Sequence, residues 1–190
     1  MYRMIRADAD TSIKNMNTEA MLANLHALDR KLGEHEMHGR IDLFGGAVMC
    51  LGLNARETTH DIDGLFAPSV EMHQLIAEVA QELHLPSDWL NDGVKGFVSP
   101  EGEVQRYLGD SFKNLDIFMA TPQYLFAMKC LSCRNLAESS TELSDIKFLI
   151  NYLNINSVDE AEEIILNYYP ANAYKPKTHY MLEELFEDIE

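Results

Sequence analysis

Proline and glycine are scarce, six and ten among 190 residues, while apolar residues make up 46% of the chain and charged residues 24%. That balance excludes a low-complexity or collagen-like chain and implies an ordered globular protein, with disorder confined to its ends. Cysteine is scarcer still. Cys50, Cys130 and Cys133 form neither an even disulfide framework nor a four-thiolate metal site, which points to a reducing compartment. Basic residues are outnumbered, 15 against 31 acidic, for a formal charge of -16. The summed field repels phosphate chains, so broad adhesion to nucleic acid or anionic membrane is excluded, though a local basic patch is not. No apolar run approaches the roughly 20 residues that cross a bilayer, and the opening residues lack the apolar stretch of a secretion signal. The expectation is a cytoplasmic protein with no membrane partner.

Nor is there an internal repeat, so organisation has to be read from periodicity and punctuation. After about ten residues expected to fray, Asn17 or Thr18 caps a helix to about Gly33, carrying Met21, Leu25, Leu28 and Leu32 at helical spacing. Ile41 to Phe44 reads as a short strand ended by Gly45-Gly46, and Ala47 to Leu53 as a short apolar helix. Asp61 to Phe66 is a second strand closed by Pro68, and Val70 to Leu85 a helix stopped by Pro86. Val94 to Val98 and Val104 to Leu108 are read as a hairpin, and Leu115 to Ala120 as a further strand. Thr121-Pro122 starts a helix to about Arg134, and three more start near Thr141, Ser157 and Pro176. Ser157 with Glu160 makes a capping box. The expected fold is α+β: a small mixed sheet flanked by helices over residues 1–120, then a helical subdomain over 121–190 packed on it.

The chemistry concentrates at Asp61-Ile62-Asp63. Side chains alternate along a strand, so the two carboxylates share a face roughly 6–7 Å apart. Their repulsion at that distance is about 2–3 kcal/mol, and a hard divalent ion that also takes phosphate oxygens offsets it. Alone, an Asp-x-Asp is often a solvated pair, and a Gly-Gly more often merely turns the chain. Together they suggest a triphosphate held on the side-chain-free turn at Gly45 and Gly46, with its metals on the neighbouring acids.

The run from Gly45-Gly46-Ala47 through Thr59-His60-Asp61-Ile62-Asp63 resembles the polymerase-beta-type nucleotidyltransferase superfamily, more narrowly the bacterial branch with the AbiEii-type toxins. The resemblance implies a nucleotidyltransferase-like sheet, phosphate contacts from Gly45, Gly46 and Thr59, and Mg²⁺ (with Mn²⁺ as a substitute) on Asp61 and Asp63. An Arg often precedes the Thr closely in that branch; here Arg56 does so with Thr58 as an extra residue between. The likeness continues through Pro122 to Lys129 and into Ser144-Asp145-Ile146, implying roles for Lys129 and Asp145, with Ser144 where the branch has a basic residue. Read from position alone, Lys129 lies on or near an apolar stripe and needs an anion, a phosphate or Asp145, unless it snorkels. The superfamily's third acid falls on Asp116, a lone carboxylate in an apolar strand, with Asp110 as runner-up.

Other signals weigh less. Gly64 comes too early for an EF-hand loop, and Cys130-x-x-Cys133 lies inside a helix without companion ligands. Glu34, His35, Glu36 and His38 read as a solvated loop; Tyr168, Tyr169, Tyr174, Tyr180 and Phe186 as packing or a partner surface; and the acidic end as solvated. The expected function is transfer of a nucleoside monophosphate from a nucleoside triphosphate to an acceptor hydroxyl on RNA or protein, with pyrophosphate released. Asp116 would assist the hydroxyl. A toxin–antitoxin component with an antitoxin-like protein partner fits this expectation. The alternatives are a non-catalytic nucleotide- or partner-binding protein on the same fold and a nucleotide-sugar glycosyltransferase using the same Asp-x-Asp.

Overall fold

Asn17 accepts a hydrogen bond from the backbone N–H of Ala20 at 2.9 Å and so caps helix α1, Thr18–Glu34, whose Met21, Leu25, Leu28 and Leu32 are fully buried. The structure, a computed structural model, describes residues 15–134 and 140–187; the chain's first residues and its last acidic ones, on which expectations were placed, lie outside them. A two-residue strand β1, Met16–Asn17, precedes α1, and β2, Gly39–Leu43, follows it. Next come α2 (Gly45–Leu51), β3 (Thr58–Thr59), β4 (Ile62–Ala67), α3 (Ser69–Leu83) and β5 (Leu90–Asn91). A 3-10 turn at Gly93–Gly96 leads to β6 (Val104–Arg106) and β7 (Leu115–Ala120). Helices α4 (Pro122–Ser132), α5 (Thr141–Leu153), α6 (Val158–Tyr168) and α7 (Pro176–Glu187) complete the α+β fold.

Five strands form one mixed sheet in the order β5-β4-β2-β7-β6, and β1 pairs separately with β3. β2 runs antiparallel to β4 and parallel to β7. Alternation sorts the side chains: Ile41, Leu43, Ile62, Phe66, Leu115, Ile117 and Met119 are buried beneath the sheet, with α1 and α3 packed on that side. The other face carries Arg40, Asp42, Asp63, Leu65, Asp116 and Phe118, all of them partly or fully exposed, and the Arg40 guanidinium lies 4.1 Å from the Phe118 ring centre.

The hydrophobic core is continuous from α1 and the sheet into the later helices, through Phe126, Ile146, Ile165 and Leu182. Thr121, Ser140 and Ser157 cap α4, α5 and α6 with their side chains. In the Ser157 box the Glu160 carboxylate reaches the N–H of Asn156, at 2.8 Å, one residue ahead of the cap.

The expected hairpin over 94–108 does not form. With a glycine at each end the segment 93–96 is a poor strand; it forms the 3-10 turn, and Val104–Arg106 pairs instead with β7. Asp61 is likewise outside its expected strand, one residue before β4 begins.

Candidate functional site

Asp63 sits at the start of β4 and its carbonyl accepts the N–H of Phe44 at 2.9 Å, which draws the end of β2 and the Gly45-Gly46 turn alongside the acid. Gly45 has φ +58°, a left-handed conformation that costs a residue with a Cβ. A Cβ there would lie 2.7 Å from Oδ2 of Asp63, and one on Gly46 would collide with Oγ1 of Thr59. The backbone favours glycine at Gly45, and at either position a Cβ would push a side chain of the site out of place. Thr59 is buried at the end of the short β1-β3 pair.

Asp61 is held from the far side. Ile62 pairs with Leu90 and Asp63 with Asn91, and the Asn91 amide donates to Oδ2 of Asp61 at 2.9 Å while its own oxygen accepts the N–H of Gly93 at 2.9 Å. With both ends of the amide engaged, the Asp61 carboxylate is oriented. Among the described residues Asp63 has no such donor. Burial pushes its carboxyl above the ordinary carboxylate range, the Asp61 charge pushes it further, and Lys129 pulls part of the way back.

These groups line a cavity of about 420 Å³ whose opposite wall comes from α4 and α5. Lys129 Nζ donates to Oδ2 of Asp145 at 2.6 Å, and Arg56 Nη1 donates to the same oxygen at 3.1 Å. Asp145 is only 3% exposed, so a lone carboxylate there would be costly, and two cations shared by one acid leave the wall with surplus positive charge. Of the two anions open to Lys129 in the sequence, the structure supplies Asp145. An acidic pair and the Lys129-Arg56-Asp145 cluster thus line one space that fits a small ligand.

Gly45, Gly46, Thr59, Asp61, Asp63, Lys129 and Asp145 all line this cavity. Asp116 does not. It pairs in register with Arg40, whereas the position on β7 level with Asp63 is Ala120, four residues on and about 13 Å further along the strand. Its carboxylate meets His38 at 2.9 Å and Arg106 at 2.5 Å. The hydrogen bond from His38, then the Arg106 charge, hold it below the ordinary carboxylate range. The third-acid expectation is corrected on this geometry: being lone in sequence did not mean lacking a partner. Asp110, the runner-up, is 2.8 Å from His26 and also off the cavity. Among the described residues no three His, Cys, Asp or Glu side chains converge as a metal-holding group.

No protein-family model, no curated protein and no solved structure matches the chain. The chemistry of the site is accordingly carried by its own residues. Sequence reasoning missed His60, Arg134 and Glu142 as cavity residues, and Asn91 as the residue that orients Asp61, which a two-residue strand sets beside it with no periodicity to reveal it. Arg56 had a signal, its place just ahead of Thr59. Cys130 is buried, its thiol pushed well above the ordinary range by desolvation, and it packs as an inert side chain.

Proposed function

We propose that the chain transfers a nucleoside monophosphate from a nucleoside triphosphate to an acceptor hydroxyl, releasing pyrophosphate. The observation that carries this reading is the meeting of Asp63 and Gly45 with no side chain between them, in a cavity that Lys129 and Arg56 also line. The acids suit a metal, the bare backbone suits phosphate oxygens, and the basic wall suits the remaining phosphate charge.

The donor set fits a hard divalent ion. Mg²⁺ is commonly bound through one or two carboxylates and completes its shell with water and substrate phosphate, so two aspartates without a third acid are sufficient. Asp61 and Asp63 would hold it, and when bound it supplies positive charge to the α-phosphate and the departing pyrophosphate. Asn91 keeps the Asp61 carboxylate aimed. Gly45 and Gly46 admit the phosphates to the backbone, and Asp145 holds Lys129 and Arg56 at the wall against them. The acceptor oxygen bonds to the α-phosphorus as the bond from that phosphorus to the β-phosphate oxygen breaks. Pyrophosphate leaves with the bonding pair, and the hydroxyl proton departs to solvent.

One observation favours a second reading, nucleotide binding without turnover: Asp116 lies at the other end of the sheet, and no further acid stands in for it on β7 at the level of Asp63. Labelled triphosphates incubated with Mg²⁺ and mixed cellular RNA and protein decide between them. Transfer that disappears in Asp61→Asn and Asp63→Asn supports the enzyme, binding without transfer supports the second reading, and transfer indifferent to both substitutions excludes the mechanism.

A further inference from the structure

A second cavity, of about 440 Å³, opens on the other side of α4 and shares Phe97, Ser132 and Arg134 with the first. Its floor is apolar, from Leu131, Ala173 and Met181, and its rim carries Arg134, Lys175 and Lys177. In a chain with 31 acidic residues against 15 basic, the usual fate of a cation is a carboxylate partner: Arg30 meets Glu34, Arg40 meets Asp42, Lys95 meets Asp92 and Arg106 meets Asp116. Among the described residues no carboxylate pairs with the side chains of the three rim cations, and the nearby Glu142 carboxylate accepts the backbone N–H of Arg134 at 3.1 Å. Lys177 donates only to the carbonyls of Cys133 and Arg134, at 3.1 and 3.3 Å, and all three residues are exposed. A local positive site has been kept where the global field is strongly negative.

We propose that this second cavity binds the acceptor, through a phosphate on the Arg134-Lys175-Lys177 rim and an apolar or aromatic body on the floor beside Phe97. The chemical class that carries both is a nucleotide, free or as the terminal unit of a strand. Three cations give phosphate attraction without base selection, and a half-buried aromatic at the mouth gives a stacking surface. The shared wall brings such a ligand beside the first cavity, where its hydroxyl would receive the transferred group. The ligand's role as acceptor rests on the nucleotidyl-transfer reading; its binding does not.

The test uses the full chain in the presence of a metal chelator and reads fluorescence anisotropy of a labelled, 5′-phosphorylated trinucleotide, with unlabelled adenosine monophosphate as competitor. The expected result is binding whose affinity falls with salt at a log–log slope of roughly -2, as three phosphate-facing cations on a single strand require. Arg134→Gln and Lys175→Gln should each weaken binding about fivefold and flatten the slope by about 0.7. Asp61→Asn should leave it unchanged. Because Lys177 also ties the end of α4, its variant is set aside in favour of the exposed Lys175, and thermal midpoints matched to the parent verify folding. Competition by the mononucleotide assigns a free nucleotide, and its failure assigns a strand end. Affinity unaffected by Arg134→Gln and Lys175→Gln, or abolished by Asp61→Asn, overturns the proposal. Retained trinucleotide binding with no transfer activity overturns the enzymatic reading while leaving this site standing.

Discussion

Two aspartates on the same open face of the sheet, Asp63 and Asp116, have opposite fates. Asp63 is partly buried, lies beside a second carboxylate and receives only distant help from Lys129, so its carboxyl is pushed up. Asp116, about a third exposed at the other end of the sheet, meets a histidine and an arginine and is pulled down. A residue whose charge is left uncompensated by its own protein is placed to take charge compensation from a ligand, while one already paired is placed to hold the fold. The contrast separates the cavity from the far end of the sheet although both present an acid from a strand.

The largest test of that contrast is catalytic. Asp61→Asn and Asp63→Asn should each reduce labelled transfer on the order of 10³-fold, about 4 kcal/mol of barrier, while Asp116→Asn stays within about twofold. Equal losses in all three would erase the distinction. Next in size is the basic wall, where Asp145→Ala leaves Lys129 and Arg56 without their shared anion. Breaking a buried pair from one side costs about 3 kcal/mol, to be read from urea unfolding, and added inorganic triphosphate should restore part of the loss if the wall accepts phosphate. Smaller is Gly45→Ala, whose left-handed backbone costs about 1–2 kcal/mol and whose Cβ displaces the Asp63 carboxylate. Nucleotide affinity by calorimetry should fall about tenfold.

The last prediction concerns pH and carries a sign rather than a size. A carboxyl raised by folding favours the folded state fully only while protonated, so the Asp63 contribution is best in acid and is lost as pH rises through its folded value. Asp63→Asn should therefore raise the thermal midpoint at neutral pH while removing activity. Asp116 has the opposite sign: its contribution is present above the ordinary carboxylate value and is lost as pH falls through its lowered one. Asp116→Asn should lower the midpoint at neutral pH, with the difference closing in acid. Midpoints of the three proteins across pH 3 to 8, roughly the range spanning carboxylate and histidine titration, measure both at once.

Much of this was legible in the chain because it is written locally. The caps at Asn17, Thr121 and Ser157 each act within three residues, and the apolar spacing of α1 and α3 declares their buried faces. The neighbourhood of Gly45, Thr59, Asp61 and Asp63 was legible for a related reason, since one turn and one five-residue stretch, 59–63, bring them together. What escaped depends on contacts remote in sequence. Val104–Arg106 pairs with β7 across an intervening loop, while residues 93–96 close into a 3-10 turn. The Asn91 bond to Asp61 spans thirty residues, and the misassignment of Asp116 came from a histidine 78 residues earlier that no strand pattern encodes. The rim of the second cavity joins the end of α4 to the start of α7, a juxtaposition visible only once the helices are packed.

Calorimetric titration of a non-hydrolysable nucleoside triphosphate, with and without Mg²⁺, reaches the central claim most directly. The account predicts binding strengthened by Mg²⁺ in the parent and in Asp116→Asn, with that Mg²⁺-dependent gain gone in Asp63→Asn. Binding indifferent to Mg²⁺, or a gain that survives in Asp63→Asn and vanishes in Asp116→Asn, would contradict it.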